Sequence, residues 1–131
     1  MAKATIVYFR QKSGRVPLLD WLRNRRYHSD KSRELCLATI EALSMSDRRD
    51  VGYPSVKHLR GDIYELRIRY DKICYRIFFS YEKENIIFLT HGFVKKTDKT
   101  PSREIAAAML YLKQYRKNKN LHSQVGGNYV R

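Results

Sequence analysis

The sequence predicts an α+β fold in which helices pack against a small antiparallel sheet. Residues 62–81 alternate apolar and polar side chains with period 2 in both halves, which is typical of a β-hairpin. Two stretches before this hairpin, starting at Pro17 and Asp30, carry apolar residues at helical spacing. Thr100 and Pro101 precede an alanine-rich stretch of the same periodicity, which predicts a C-terminal helix. A length of 131 residues is enough for one domain with its own core.

The first half of the chain reads as one strand followed by two helices. Thr5–Phe9 is β-branched and aromatic, which favours a strand. The helix from Pro17 ends in three cations, which suit the negative end of its dipole: Arg23, Arg25 and Arg26. Asp30 is the expected cap of the second helix, whose apolar stripe consists of Leu35, Cys36, Thr39, Ile40 and Leu43. Cys36 is therefore predicted to be a core residue.

A long polar link is predicted over residues 44–61, where Gly52, Pro54 and Gly61 interrupt regular structure. Lys57 stands at the end of this link and is a candidate phosphate contact. His58 could be a ligand or a base, although a lone loop histidine is more often neither.

The hairpin contains a pair of like charges. A two-residue turn at Asp71 and Lys72 sets apolar side chains opposite one another throughout and places Arg67 directly opposite Arg76. Like charges directly opposite are unfavourable in a sheet, so the pair indicates an anion nearby, unless the two side chains simply splay into water. Glu65 lies on the same face, where it could orient an arginine or serve as a general base.

A third consecutive strand is expected over residues 86–94. Pairing Tyr81 with Ile86 places His91 opposite Arg76, so that Arg67, Arg76 and His91 form one row across three strands. An odd-length loop or a β-bulge would break this row. The third strand is apolar on both faces, which predicts that the C-terminal helix covers part of the outer face.

Charge and cysteine usage restrict the class of protein. There are 27 Lys and Arg residues against 13 Asp and Glu residues, a net charge of +14, and only four of these cations lie in residues 116–131. A fold this basic predicts a polyanionic partner, and nucleic acid or an acidic protein is favoured over a membrane surface. Cys36 and Cys74 have no metal-ligand spacing, and there is no apolar run long enough for a membrane span or a secretion signal. We therefore expect a cytoplasmic protein with reduced thiols and no membrane partner.

The row of cations suits cleavage of a phosphodiester. Arg67, Arg76 and His91 are the predicted catalytic residues: the arginines would stabilise phosphate charge, and His91 would exchange a proton near neutral pH. Four flanking cations are predicted RNA contacts: Lys57, Arg69, Lys95 and Lys96. No carboxylate cluster suggests metal ligands, so we expect no metal and no cofactor, with the 2′-hydroxyl of RNA as the nucleophile.

Three segments carry a resemblance to a known family: VKHLRGDIYELRI, then YRIFF, then LTHGFVKKTDKTPSREI before an alanine-rich helix. Together they resemble the HigB-like branch of the RelE/ParE toxin superfamily over roughly residues 5–115. The resemblance implies a toxin domain over residues 1–115, with two N-terminal helices on a curved antiparallel sheet and a C-terminal helix. Residues 116–131 have no counterpart and are predicted to be a basic, flexible tail.

The resemblance also implies an activity. The chain would be the toxin of a type II toxin–antitoxin pair and a ribosome-dependent, metal-independent endoribonuclease that cuts mRNA in the ribosomal A site and inhibits translation. Its partners would be that mRNA, rRNA and a cognate antitoxin, in this branch usually a helix-turn-helix protein. Two alternatives remain open: a ParE-type toxin that acts on DNA gyrase, and a non-catalytic module that binds RNA or the ribosome.

Overall fold

The computed structural model describes residues 3–46, 52–95 and 99–125, and it confirms the α+β class. Strand β1 is followed by two helices, four strands, a third helix and a short last strand. In chain order these elements are β1 (Thr5–Phe9), α1 (Pro17–Arg23), α2 (Asp30–Met45), β2 (Ser55–Arg60), β3 (Ile63–Tyr70), β4 (Ile73–Glu82), β5 (Ile86–Lys95), α3 (Ser102–Lys117) and β6 (Ser123–Val125). None of the described helices is long and apolar enough to cross a membrane.

The six strands form one mixed sheet in the order β2-β3-β4-β5-β1-β6. Neighbouring strands are antiparallel, with the exception that β1 runs parallel to β5. The predicted antiparallel sheet is thus confirmed apart from this one pairing. Helices α1 and α2 carry the chain from β1 to β2 at the far edge of the sheet, and three strands follow before β5 returns beside β1. This long connection is what allows the two neighbours to run parallel.

Each face of the sheet has its own core. On the face covered by α1 and α2, the sheet contributes Leu66, Ile68, Ile77, Phe79 and Leu89, and Cys36 packs among the helical residues. On the face covered by α3, Ile63, Phe78 and Phe88 pack against Ala108, Leu112 and Tyr115. Cys36 is fully buried, as predicted, and burial raises the pKa of its thiol to about 12.

The β3–β4 hairpin has the predicted register. Asp71 and Lys72 both have positive φ, +50° and +66°, which is the backbone that a two-residue hairpin turn of the favoured hand requires. Arg67 pairs with Arg76, as expected. Side-chain alternation alone was enough to set this register, because a slip of one residue would send every apolar side chain to the wrong face.

The register of β5 differs from the prediction, and the predicted row of Arg67, Arg76 and His91 is therefore wrong. Glu82 pairs with Ile86, so the loop between β4 and β5 has odd length and turns Ile86 to the α3 face. A β-bulge then interrupts the pairing, because Phe79 pairs with Leu89 whereas Ile77 pairs with Gly92. After the bulge, Arg76 lies opposite Phe93 instead of His91.

The glycine after the bulge is where helix α1 comes closest to the sheet. A Cβ atom at Gly92 would lie 2.5 Å from Cζ3 of Trp21, so only glycine fits between this ring and β5. The close approach seats α1 directly on β5.

Helix starts and the polar link also differ from expectation. Residues 55–60, predicted to be link, form the exposed edge strand β2. Ser29 caps α2 in place of Asp30, since Ser29 and Ser32 exchange hydrogen bonds in a capping box. The residue before α3 is Pro101, and the side chain of Thr100 does not cap the helix.

The predicted flexible tail begins as ordered structure. Ser123–Val125 pairs with β1, and the His122 ring stacks on Phe9 with ring centres 5.5 Å apart. Arg10 donates hydrogen bonds to the carbonyl oxygens of Asn120 and Leu121, at 3.2 Å each. Residues 126–131 lie outside the described residues, and the domain boundary at residue 115 stays a prediction.

Candidate active site

The predicted site residues whose side chains are described, which are Lys57, Arg67, Arg69, Arg76 and His91, share the α3 face of the sheet, but they occupy three neighbouring cross-strand rows. One row contains Ser55, Arg67, Arg76 and Phe93. A second contains Lys57, Glu65 and Phe78, with the Thr90–His91 bulge beyond Phe78. The third contains Arg69, Cys74 and Lys95. His91 therefore belongs to the row of Glu65 and not to the row of the arginines.

Glu65 is the hub of the cluster. Its side chain is fully buried, and its Oε1 accepts hydrogen bonds from Arg76 Nη1 at 2.5 Å and Arg67 Nε at 3.1 Å. The hydroxyl of Thr100 donates to the other carboxylate oxygen, Oε2, at 2.7 Å. The anion that the arginine pair indicates is thus Glu65 of β3 itself, which takes the first of the two roles that the sequence left open for it.

Three donors keep Glu65 ionised. Burial raises the pKa of the Glu65 carboxyl, but the hydrogen bonds from Thr100, Arg67 and Arg76 outweigh burial, so the pKa ends below its ordinary value. A carboxylate with all three donors in place is a poor proton acceptor. The geometry therefore favours Glu65 as the residue that orients the arginines, and not as a general base.

The two arginines differ in exposure. The side chain of Arg76 is 7% exposed, and its Nε atom is buried without a hydrogen-bond partner among the described residues. The side chain of Arg67 is 33% exposed. Because two guanidinium groups share one carboxylate, the cluster keeps net positive charge, which Arg67 presents to solvent.

His91 uses both ring nitrogens within the protein. Nε2 lies 3.0 Å from Glu104 Oε1, and Nδ1 lies 3.2 Å from Oγ1 of Thr90, whose hydroxyl donates to the carbonyl oxygen of Phe78. Both ring nitrogens thus lie within hydrogen-bond distance of an oxygen of the protein. The hydrogen bond from His91 lowers the pKa of Glu104 against the effect of burial. His91 thus joins β5 to α3.

The remaining predicted residues are not part of this hydrogen-bonded cluster as far as the structure describes them. Lys57 and Arg69 are exposed, Lys95 lies in β5, whose last side chain is not described, and Lys96 lies outside the described residues. His58 is exposed on the edge strand, and its Nε2 lies 2.7 Å from the carbonyl oxygen of Gly61, a local contact far from a catalytic arrangement. In residues 3–46, 52–95 and 99–125, no three His, Cys, Asp or Glu side chains are grouped as metal ligands would be.

Thr100 and Glu104 are the site residues that the sequence analysis missed. Both lie in the segment KTPSREI, which the sequence connected with a helix start and with the family resemblance but not with the site. Their neighbours Glu65 and His91 are 35 and 13 residues away in sequence. One signal was available in the sequence: Thr100 and Glu104 are polar residues at the start of the helix that was expected to cover the face of the arginines.

Comparison with known proteins gives one family. The family model described as "Phage derived protein Gp49-like (DUF891)" matches residues 23–113, a range that includes Glu65, Arg67, Arg76, His91, Thr100 and Glu104. A search of curated proteins finds no match.

Proposed function

The chain belongs to the Gp49-like family of phage-derived proteins, which is part of the RelE/HigB-like toxin group, and on this basis we propose that it is an mRNA-cleaving toxin. In this proposal the chain is the HigB-like toxin of a type II toxin–antitoxin pair. It cuts mRNA in the ribosomal A site without a metal ion, and a helix-turn-helix antitoxin neutralises it.

One observation carries the proposal: a single buried carboxylate holds two guanidinium groups on a basic face of the sheet. Guanidinium groups bind phosphate oxygens through paired hydrogen bonds, and donors that are already oriented stabilise the charge of a phosphoryl transition state without reorganisation. Arg76 is fixed by burial, and Arg67 reaches solvent beside it. This arrangement supports the binding of a scissile phosphate beside Arg67.

The chemistry follows from the substrate. The 2′-hydroxyl of RNA attacks the neighbouring phosphorus atom, and the bond to the 5′-oxygen of the next nucleotide breaks. Arg67 and Arg76 bind the non-bridging oxygens as negative charge accumulates on them. His91 can transfer a proton only if the RNA replaces Glu104 or Thr90 as its hydrogen-bond partner, so its catalytic role stays a prediction.

The flanking cations would hold the RNA. Lys57 and Arg69 border the arginine cluster on the α3 face, and with Lys95 and Lys96 they would contact phosphates of the mRNA and of rRNA. These contacts position the strand, and they do not by themselves select a base.

A non-catalytic RNA-binding module is the second candidate. It is favoured by the burial of Arg76 and by the engagement of both nitrogens of His91, since a purely structural network would have the same features. Cleavage itself is the property that separates the two functions.

The test is to express the chain alone and to map the 5′ ends of cellular RNA against ribosome position. Arg67→Ala should reduce mRNA cleavage by a factor of about 100, as for loss of one oriented donor, and Arg76→Lys should reduce it similarly because the forked geometry is lost. Arg15→Ala, which removes an exposed arginine paired with Asp20, is the matched control and should cleave normally.

The outcomes distinguish the candidates. Full cleavage by folded Arg67→Ala and Arg76→Lys would refute the catalytic assignment. An intact RNA pool with broken chromosomal DNA would indicate a gyrase toxin, and ribosome binding without cleavage would indicate the binding module. A pH–rate profile that is the same for the wild type and His91→Gln would remove His91 from proton transfer.

A further inference from the structure

We propose that the turn between α1 and α2, residues 23–33, is a second RNA-binding surface that holds the strand without taking part in chemistry. We call this segment the basic corner. The choice of RNA as the polyanion rests on the proposed function, whereas the existence of the surface rests on the charges and contacts below.

The basic corner concentrates positive charge beyond what its helices need. It contains five cations and one acid: Arg23, Arg25, Arg26, Lys31 and Arg33, with Asp30. The expectation that the arginines serve the C-terminal end of α1 holds for Arg23 alone, because the helix ends there. Arg25 and Arg26 lie beyond the helix, in the turn.

The single acid leaves part of this charge without a partner. Asp30 Oδ1 accepts from Arg25 at 2.8 Å and from Arg33 at 2.7 Å. Arg26 and Lys31 are exposed, and no described carboxylate lies within ion-pair distance of either. Tyr27, which follows Arg26 in the chain, is 41% exposed. Two exposed cations and an exposed aromatic ring within one short segment suit a nucleic acid, which offers phosphates and stacking bases together.

The turn is held rigidly. Asn24 Oδ1 accepts a hydrogen bond from the backbone N–H of Arg26 at 2.9 Å. The backbone carbonyl oxygen of Asn24 accepts hydrogen bonds from the backbone N–H groups of Tyr27 and His28 at 3.0 Å each. His28 is 2% exposed, and its Nδ1 lies 2.9 Å from Ser32 Oγ. A cationic surface that is already ordered loses little conformational entropy on binding.

The basic corner lies at the end of the sheet where the β3–β4 turn is found. The ring of His28 stacks on Tyr75, the neighbour of Arg76 in β4, with ring centres 4.7 Å apart. Trp21, in the helix that leads into the corner, contacts the Gly92 position of β5. An RNA strand that crosses the arginine cluster can therefore pass around this end of the sheet and reach Arg26 and Lys31 on the other side.

The experiment measures the affinity of a fluorescein-labelled single-stranded RNA as a function of salt concentration. The double variant Arg26→Gln/Lys31→Gln should bind about ten-fold more weakly, and the slope of log K against log salt should fall in magnitude by about 1.4, about 0.7 for each lost phosphate contact. Cleavage at saturating RNA or ribosome concentration should stay within about two-fold of the wild type, because the variant touches no reacting group.

The matched control is Lys83→Gln/Lys113→Gln, which removes two exposed lysines away from the basic corner. Lys83 lies in the β4–β5 turn, at the end of the sheet opposite to the β3–β4 turn, and Lys113 lies in the second half of α3. It should keep the wild-type slope. An equal loss of affinity in both double variants, or an unchanged slope in the corner variant, would overturn the proposal. If the wild type does not cleave RNA but the corner variant still loses its salt slope, the proposed function fails and the basic corner stands.

Discussion

The buried histidine at the base of the corner should make the free energy of unfolding depend on pH in a defined window. Burial first, and the positive charge of Arg33 second, lower the pKa of His28 from 6.5 to about 4. The folded state therefore binds the proton more weakly than the unfolded state, so His28 costs no stability above about pH 6.5, and stability is lost as the pH falls from 6.5 towards 4. The full shift corresponds to roughly 3 kcal/mol, at about 1.4 kcal/mol per pH unit.

The assay is urea denaturation at about pH 7.5 and about pH 4.5, where the wild type should lose about 2.5 kcal/mol through His28. His28→Phe and His28→Gln have no titrating ring at this position, so both should lack this part of the pH dependence whatever their stability at neutral pH. Glu65 and Glu104, whose pKa values are lowered, contribute stability that is lost only at lower pH, as each carboxylate is protonated. The reasoning is refuted if the wild type and both variants lose the same stability between the two pH values.

Two further substitutions examine the contacts around the site. Glu65→Gln should lower the free energy of unfolding by about 3–5 kcal/mol, because it leaves buried Arg76 without its counter-charge. Thr100→Val removes one hydroxyl donor and should lower it by about 2 kcal/mol. Urea denaturation that ranks the two variants in reverse would contradict the hub role of Glu65. Gly92→Ala should cost about 1–3 kcal/mol because its Cβ meets the Trp21 ring. In a Trp21→Leu background the same change should cost clearly less, and strict additivity would exclude the steric explanation.

The hairpin shows how far side-chain alternation can be taken. Its turn, its register and the opposition of Arg67 and Arg76 follow from a pattern of twenty residues, because a slip of one residue exchanges the two faces. The same method placed His91 two positions from its actual pairing. A β-bulge adds one residue to one strand, and no local pattern in a strand that is apolar on both faces indicates where that residue is inserted.

The role of Glu65 shows why the chemistry of the site needed more than the pattern. Sequence placed Glu65 and Arg67 on one face but left open whether the carboxylate is a base or an orienting group. The answer depends on how many donors reach it, and one of the three, Thr100, arrives from a segment distant in sequence. Burial and hydrogen bonding together decide the protonation of a carboxyl group, and both are properties of the packed structure.

The amino-acid sequence by itself determined the α+β class, the main helices, the hairpin and the two arginines that face each other, since these depend on local periodicity and turn geometry. Only the tertiary structure decided that Glu65 supplies their anion and that His91 is joined to Glu104. It also decided that the segment with Arg26 and Lys31 lies at the end of the sheet that holds the β3–β4 turn. These relations connect residues through long-range contacts between packed elements, and such contacts are set by the burial of two cores rather than by any spacing along the chain.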